Sequence, residues 1–382
     1  MRRHFFLLLC GALAALAPTL APPMAARGST NHVVRVGILL NQDAVALSSD
    51  GVIEAGDVAG QTVTPLPAGA YEFRPSPPGI DGGANHFGTI VRLRPASGWL
   101  QVGARRYRGL IELRRTPLGR LTVINEIDLE EYLYGVLKME VDPRWPPEAL
   151  KAQAVAARTL AVQSAGRFAA EGYDLRATTE SQVYAGINAE DPRTTAAVEA
   201  TRGVIMTYAA RPIFAAYHSD SGGVTESSEY VWGQPYAYLR GVADPYGADG
   251  PAREWLSRID LDTLEARLAR AGRPIAGVSG IKISSTSPSG RVLTVRITGG
   301  AGVVEMRGTE LRQILGVSLL RSTLFAARVV GDNGAAAVEF RGRGSGHGVG
   351  MSQWGAWGQA AAGRGYSEIL RFYYQGIQLE TR

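Results

Sequence analysis

From about Val33 to Val123 the apolar residues come in short, branched, alternating runs. VVRVGILL, TIVRLRP, WLQVG, GLIELRR and LTVI are separated by the turn clusters PLPAG, PSPPGIDGG and TPLGR, with no helical period of useful length between them. This texture predicts a β-rich region. At Asp128 the period changes. DLEEYLYGVLKM carries Leu129, Tyr132, Leu133, Val136 and Leu137 at helical spacing, and Asp128 with Glu131 forms an acidic variant of the capping box. The helix should stop near Glu140, because Pro143, Pro146 and Pro147 cannot continue it. A second helix opens with Pro147 in its first turn and runs through EALKAQAVAARTLAVQSAGRFAAEG to Gly172, unless Gly166 loosens it earlier.

Beyond it, β-type runs lie at 182–184, 203–208 and 212–217, followed by a loop-rich stretch from His218 to Gly250. A helix, LDTLEARLARAG, leads into the strands IKISST and RVLTVRIT. GTELRQILG reads as another short helix, and a Gly-rich loop with two short helices closes the chain. The fold class predicted is α+β. A β-rich N-terminal region, residues 27–106, precedes a mixed α+β catalytic domain, residues 107–382, with a helix-lined cleft.

Residues 1–26 read as a signal peptide, since Arg2 and Arg3 precede an apolar run from Phe5 to about Leu16, then small residues and prolines. That run is shorter than the roughly 20 residues a membrane-spanning helix needs, so only an uncleaved leader would tether the chain. The protein is therefore expected to be exported, to a periplasm, wall or extracellular space. Cys10, inside the leader, is the one cysteine of the chain, which excludes disulfides, thiolate catalysis and cysteine-ligated zinc from the remainder. The formal charge of +5, with a sequence pI near 9.3, suits an anionic polymer. Nucleic acid is not the expected partner, for no helix-turn-helix, zinc finger or aromatic RNA-binding signature is present.

Four constellations are candidates for chemistry. On the second helix, Leu150, Ala154, Ala157, Ala161, Ala165 and Phe168 form an apolar stripe, extended by Val155 and Val162, with Lys151 and Arg158 inside it. Two cations in an apolar sector need an answer. Either that face lines a cleft or meets an acidic partner, or the cations form structural ion pairs with their stems on the core. Glu140 sits at the end of the first helix, where the dipole and the neighbouring Met139 and Trp145 would raise its pKa toward that of a general acid. HSDSGG, from His218 to Gly223, resembles the surroundings of a serine-protease nucleophile, but the upstream His32 and His86 lack the usual context for the base. Finally, alternating glycines surround His347 ahead of Gln353, Trp354 and Trp357, a composition that suits sugar binding.

Together these residues resemble the stage II sporulation protein D family, also called the SpoIID/LytB domain. The matching strings are INEIDLEEYLYGVLKMEV, PPEALKAQAVAARTLAV, SQVYAG, TRGVIMTY with RPIFAAYHSDSGG, YVWG, LRSTLF, and GSGHGVGMSQWGAWGQA with YSEILRFYYQG, from roughly Tyr107 to Leu379. The resemblance implies action on peptidoglycan glycan strands stripped of stem peptides, either as a lytic transglycosylase or as an enhancer of a cell-wall amidase. It places the family's catalytic glutamate on Glu140. By the same carry-over Lys151, Gln153 and Arg158 belong to a motif helix, His218, Ser219, Gly222 and Gly223 to a cleft loop, Trp232 to the YVWG string, and His347 and Gln353 to a second loop, all as substrate-binding residues. Two departures stand out. Glu140-Val141-Asp142-Pro143 replaces the family's shorter E-x-P turn, and Arg176, Glu180, Ser181 and Asp220 stand near positions where some members hold zinc with cysteines and a histidine. No metal and no cofactor is expected. A single carboxylate points to a transglycosylase, whereas a hydrolase would need a second acid, for which Asp142 and Glu148 are nearest in sequence.

Overall fold

Residues 32–57, 63–247, 249–300, 302–331 and 336–382 are described by a computed structural model of the chain, and the expected leader lies outside them. Alternating burial turns the N-terminal runs into strands, as their texture predicts. Strands β1 (Val33–Gln42), β2 (Leu110–Arg115) and β3 (Leu121–Asp128) lie in a seven-stranded sheet in the order β1-β3-β2, so the first strand pairs with the one that leads into the first helix. A second, six-stranded sheet is built from strands between Val45 and Tyr107. Inward residues such as Val36, Ile111 and Val123 share one core with Tyr132, Leu133 and Val136 of helix α1 (Leu129–Glu140). That core draws on residues before and after Tyr107, and Tyr107 itself lies in it.

Helix α1 starts where expected, with Asp128 Oδ1 accepting from the N–H groups of Glu130 at 2.9 Å and Glu131 at 3.4 Å. Helix α2 (Pro147–Gln163) ends before Gly166, whose φ of +77° is left-handed, and so takes the earlier of the two stops. Its burial differs from the single stripe expected of it. Ala154, Ala157 and Ala161 enter the first core, while Ala152, Val155 and Ala156 enter another with Met206, Met351, Ile369 and Tyr373. Alanine's lack of bulk lets both neighbours approach, and a helix apolar on all sides is a buried one.

Helix α3 (Pro192–Ala200) went unanticipated, although Asp191 caps it and Pro192 occupies its first turn. Residues 182–184, expected as a strand, are irregular, and the run 212–217 shortens to two-residue strands at Arg211–Pro212 and Tyr217–His218. A short helix α4 (Ser228–Trp232) follows in the loop-rich stretch. Beyond it the helix over LDTLEARLARAG, the strands over IKISST and RVLTVRIT and the helix over GTELRQILG form as expected, whereas the three strands that flank them were not expected. Strands β4 (Trp255–Asp260), β5 (Phe325–Val330) and β6 (Ala337–Gly342), in the order β4-β6-β5, join helices α5 (Leu261–Arg270) and α6 (Gly308–Leu315) and a three-stranded sheet over a core of their own. Helices α7 (Gln353–Ala361) and α8 (Tyr366–Tyr373) then pack on α2.

Candidate active site

Helix α1 ends at Glu140 because Val141 is extended, with a φ of −140°, and the proline turn follows. The half-buried Glu140 lines a pocket of about 460 Å³ together with Met139, Leu160, Leu175, Val183, Phe214, Ala216, Tyr217 and His347. Burial raises the pKa of its carboxyl above the usual glutamate value, opposed by the Tyr217 hydroxyl, the Val183 N–H and the Gln353 amide, which favour the charged form. An acid so tuned stays protonated closer to neutral pH, as general acid catalysis requires. The desolvating wall is not the expected one. Met139 sits exposed at the rim, and Trp145 instead packs on Trp354 at 5.1 Å between ring centres and lines a separate cavity of about 490 Å³. Leu160, Leu175 and Phe214 supply the apolar surface.

A chain of hydrogen bonds leads to the carboxyl. The Tyr132 hydroxyl donates to Gln182 Oε1 at 3.2 Å, and Gln182 Nε2 donates to the Tyr217 hydroxyl at 3.2 Å, orienting that hydroxyl for Glu140. Gln353 Nε2 donates to the Glu140 carbonyl at 3.3 Å and approaches the buried Gln153 Oε1 at 3.4 Å, so both expected glutamines meet behind Glu140. His347 lines the pocket, with Trp232 at 5.1 Å and His218 at 5.5 Å between ring centres. Val349 N–H donates to His347 Nδ1 at 3.0 Å, which leaves the proton of the neutral ring on Nε2. Burial lowers its pKa to about 4 and lowers that of His218 as well, so both rings are neutral around pH 7 and act as hydrogen-bonding groups rather than cations.

Ser219, Gly222 and Gly223 hold loops together. Ser219 accepts from Trp354 N–H at 3.0 Å, and Gly222 lies against the Arg343–Gly344 backbone. The alternating glycines around His347 serve that purpose too. A Cβ on Gly350 would lie 2.1 Å from the Ala216 carbonyl oxygen, and one on Gly346 2.7 Å from His218 Cβ, so these glycines admit protein rather than ligand. Ser221 donates to Asp244 at 2.8 Å and His218 Nδ1 donates to the Val349 carbonyl at 3.1 Å, leaving no nucleophile–base pair in HSDSGG.

The two cations of α2 part company. Lys151 pairs with Glu148 at 2.7 Å and borders the Trp145 cavity. Arg158, expected among the substrate-binding residues, has no exposed side-chain surface. It forks onto Glu130 at 2.8 and 2.6 Å and donates to the Val198 and Val204 carbonyls, at the opposite end of α1 from Glu140. The structural ion pair, not the cleft, accounts for it.

The nearest carboxylates in sequence do not line the Glu140 pocket. Asp142 is held down to about 2 by Arg144, and Glu148 is engaged by Lys151 and the Tyr366 N–H. The pocket's second carboxylate is instead Glu180, which the sequence reading did not single out for catalysis and which Arg176 engages at 2.7 Å. Tyr217 and Val183 were missed likewise. Their signal was membership of the strings RPIFAAYHSDSGG and SQVYAG. Among the described residues no three His, Cys, Asp or Glu side chains are grouped to hold a metal ion.

Residues 118–208 match the family described as stage II sporulation protein, and residues 228–350 match a domain of unknown function. The chain is 33% identical over 272 residues to stage II sporulation protein D of Bacillus subtilis, covering 67% of this chain and 75% of that protein. It is 37% identical over 260 residues to an uncharacterized protein of Brachyspira hyodysenteriae, covering 68% of each. It is also 30% identical over 296 residues to the amidase enhancer of Bacillus subtilis, of which it covers 40%.

Proposed function

From the premise that the chain belongs to the stage II sporulation protein D family, with a cell-wall-related role, we propose that it is an exported lytic transglycosylase acting on peptide-stripped glycan strands. Glu140 in its pocket, with a raised pKa and hydrogen-bond donors aimed at its charged form, is the observation that supports this reading. The protonated carboxyl gives its proton to the glycosidic oxygen between N-acetylmuramic acid and N-acetylglucosamine. The resulting carboxylate then takes the proton of the muramyl 6-hydroxyl, whose oxygen bonds to C1 and closes a 1,6-anhydro ring. One group serves both steps, and Tyr217 and the Val183 N–H stabilise it between them. Digestion of purified denuded glycan should yield products lighter by one water than hydrolysed ones and lacking a reducing end. Reducing-end products would move the assignment to a hydrolase in which Glu180 activates water.

Tyr217→Phe removes a donor that favours the carboxylate, so the pKa of Glu140 should rise further. Because the acid must be protonated, the alkaline limb of kcat/KM should move to higher pH in this variant. A profile superimposable on the wild type would show that Tyr217 does not address the catalytic carboxyl.

A second reading rests on the relative named an amidase enhancer. In it the chain presents glycan to a separate cell-wall amidase and cleaves nothing itself, so stimulation of that amidase would not depend on Glu140.

A further inference from the structure

The excess charge of the chain is concentrated in one stretch. Residues 255–342 hold twelve Lys and Arg against seven Asp and Glu, a formal +5 equal to that of the entire chain, and they fall inside the segment matched to a domain of unknown function. On the outer face of the β4-β6-β5 sheet, Glu339 stands in register with Arg258 on one side and Arg328 on the other, and Arg341 follows two residues along on the same face. The Glu339 side chain has 0% exposure, while those of the three arginines have 62%, 64% and 66%. Arg258 donates to it through Nε and Nη2 at 2.9 and 2.5 Å, Arg328 through Nε and Nη2 at 3.2 and 2.8 Å, and Arg341 through Nε at 3.0 Å.

One carboxylate thus orders three exposed guanidinium groups without neutralising them. Each guanidinium carries several further N–H donors that Glu339 does not use, and their ordering entropy is already met before any ligand arrives. The three arginines hold Glu339 ionised, at about 2. Beside them lies a groove of about 620 Å³ that joins Arg341, Arg343 and Glu254 to Trp255, Leu256, Leu324 and Phe325, an apolar floor under a rim of two guanidinium groups and one carboxylate. From Arg341 the chain runs six residues to His347 in the Glu140 pocket, which bounds the separation of the two backbone positions at about 20 Å.

We infer that this face is a subsite for the lactyl carboxylates of peptide-stripped glycan, and that it selects stripped strands over neutral ones. The inference rests on the proposed action on glycan. A stem peptide ties up the lactyl carboxyl as an amide, so removing it exposes one carboxylate on each muramyl residue. A planar guanidinium fork binds a carboxylate through two parallel hydrogen bonds. Polymers of N-acetylglucosamine share the sugar backbone and the acetamido groups but lack this charge.

The test uses the full chain carrying Glu140→Gln, so that binding is read without cleavage, with denuded glycan and N-acetylglucosamine oligomers as probes. Denuded glycan should bind more tightly, with a preference that fades as salt rises. Arg328→Gln and Arg341→Gln should each weaken glycan binding on the order of tenfold and leave oligomer binding unchanged. Arg341→Lys, which keeps charge but loses the fork, should recover part of the loss. Arg258 stays on Glu339 in all of these variants, so the buried carboxylate keeps a partner, and unchanged thermal melting checks the fold. Equal affinity for the two probes, variants that bind like the parent, or a phosphodiester wall polymer that binds in preference to glycan would each overturn the subsite. If arginine-dependent binding persists while the protein with Glu140 intact releases no anhydro-sugars, the transglycosylase reading fails and the subsite stands.

Discussion

Glu140→Gln is expected to abolish release of anhydro-sugars, lowering turnover by at least roughly 10²–10⁴-fold, the usual contribution of a general acid–base group, while denuded glycan still binds. Glutamine keeps the shape of the side chain and its place in the pocket but neither gives nor takes a proton. The same change should not harm the fold, and the sign of its effect follows from the raised pKa. A carboxyl that is harder to ionise in the folded chain than in the unfolded one costs stability as pH climbs from the ordinary glutamate value of 4.5 through the folded value, because the folded state holds the extra proton over that window. Above the window the penalty is complete. The melting temperature of Glu140→Gln relative to the wild type should therefore rise across that interval and then level off. Stimulation of a partner amidase that survives unchanged in the variant would favour the enhancer reading. Wild-type-like release of anhydro-sugars would falsify the acid/base assignment.

Glu140 was legible in the sequence because everything that places it is local. Asp128 caps the helix, the apolar period runs from Leu129 to Leu137, and the prolines end it. The groups that address its carboxyl were not legible, because they arrive from distant segments without a period of their own. The irregular stretch 182–184 is laid on α1 at Gly135, whose carbonyl accepts from the Ala185 N–H at 3.2 Å and where a Cβ would meet the Tyr184 ring at 2.6 Å. That missing Cβ brings Tyr184, and with it Val183, close to α1. The resemblance marked the strings SQVYAG and AAYHSDSGG without saying that their backbones converge on Glu140. The glycines near His347 were read as ligand-facing because composition cannot distinguish a backbone that approaches a sugar from one that approaches another loop. Strand texture before Asp128 was read correctly because alternation needs no knowledge of a partner, whereas the second face of α2 could be seen only once another core lay against it.

Arg158→Ala is expected to destabilise the fold by about 3–5 kcal/mol, the cost of leaving one member of a buried ion pair alone. Arg158 has 0% exposed side-chain surface and Glu130 has 7%, so water cannot take over the lost partner. The Val198 and Val204 carbonyls lose a donor at the same time, and Glu130 is left with the Gly203 N–H at 3.0 Å. Glu130 is the second residue of α1, and Glu140 lies ten residues further on, about 15 Å along the axis. A loss of activity in this variant should accordingly track the unfolded fraction and disappear where the chain is held folded by low temperature. Urea unfolding should show a lower midpoint with an unchanged slope. Replacing both partners, Arg158→Met with Glu130→Leu, should return much of the stability, because no charge is then left buried and the methionine stem still fills the space between α2 and the end of α3. An Arg158→Ala protein with a wild-type midpoint and weakened glycan binding would instead put this guanidinium on the substrate, against its pairing with Glu130.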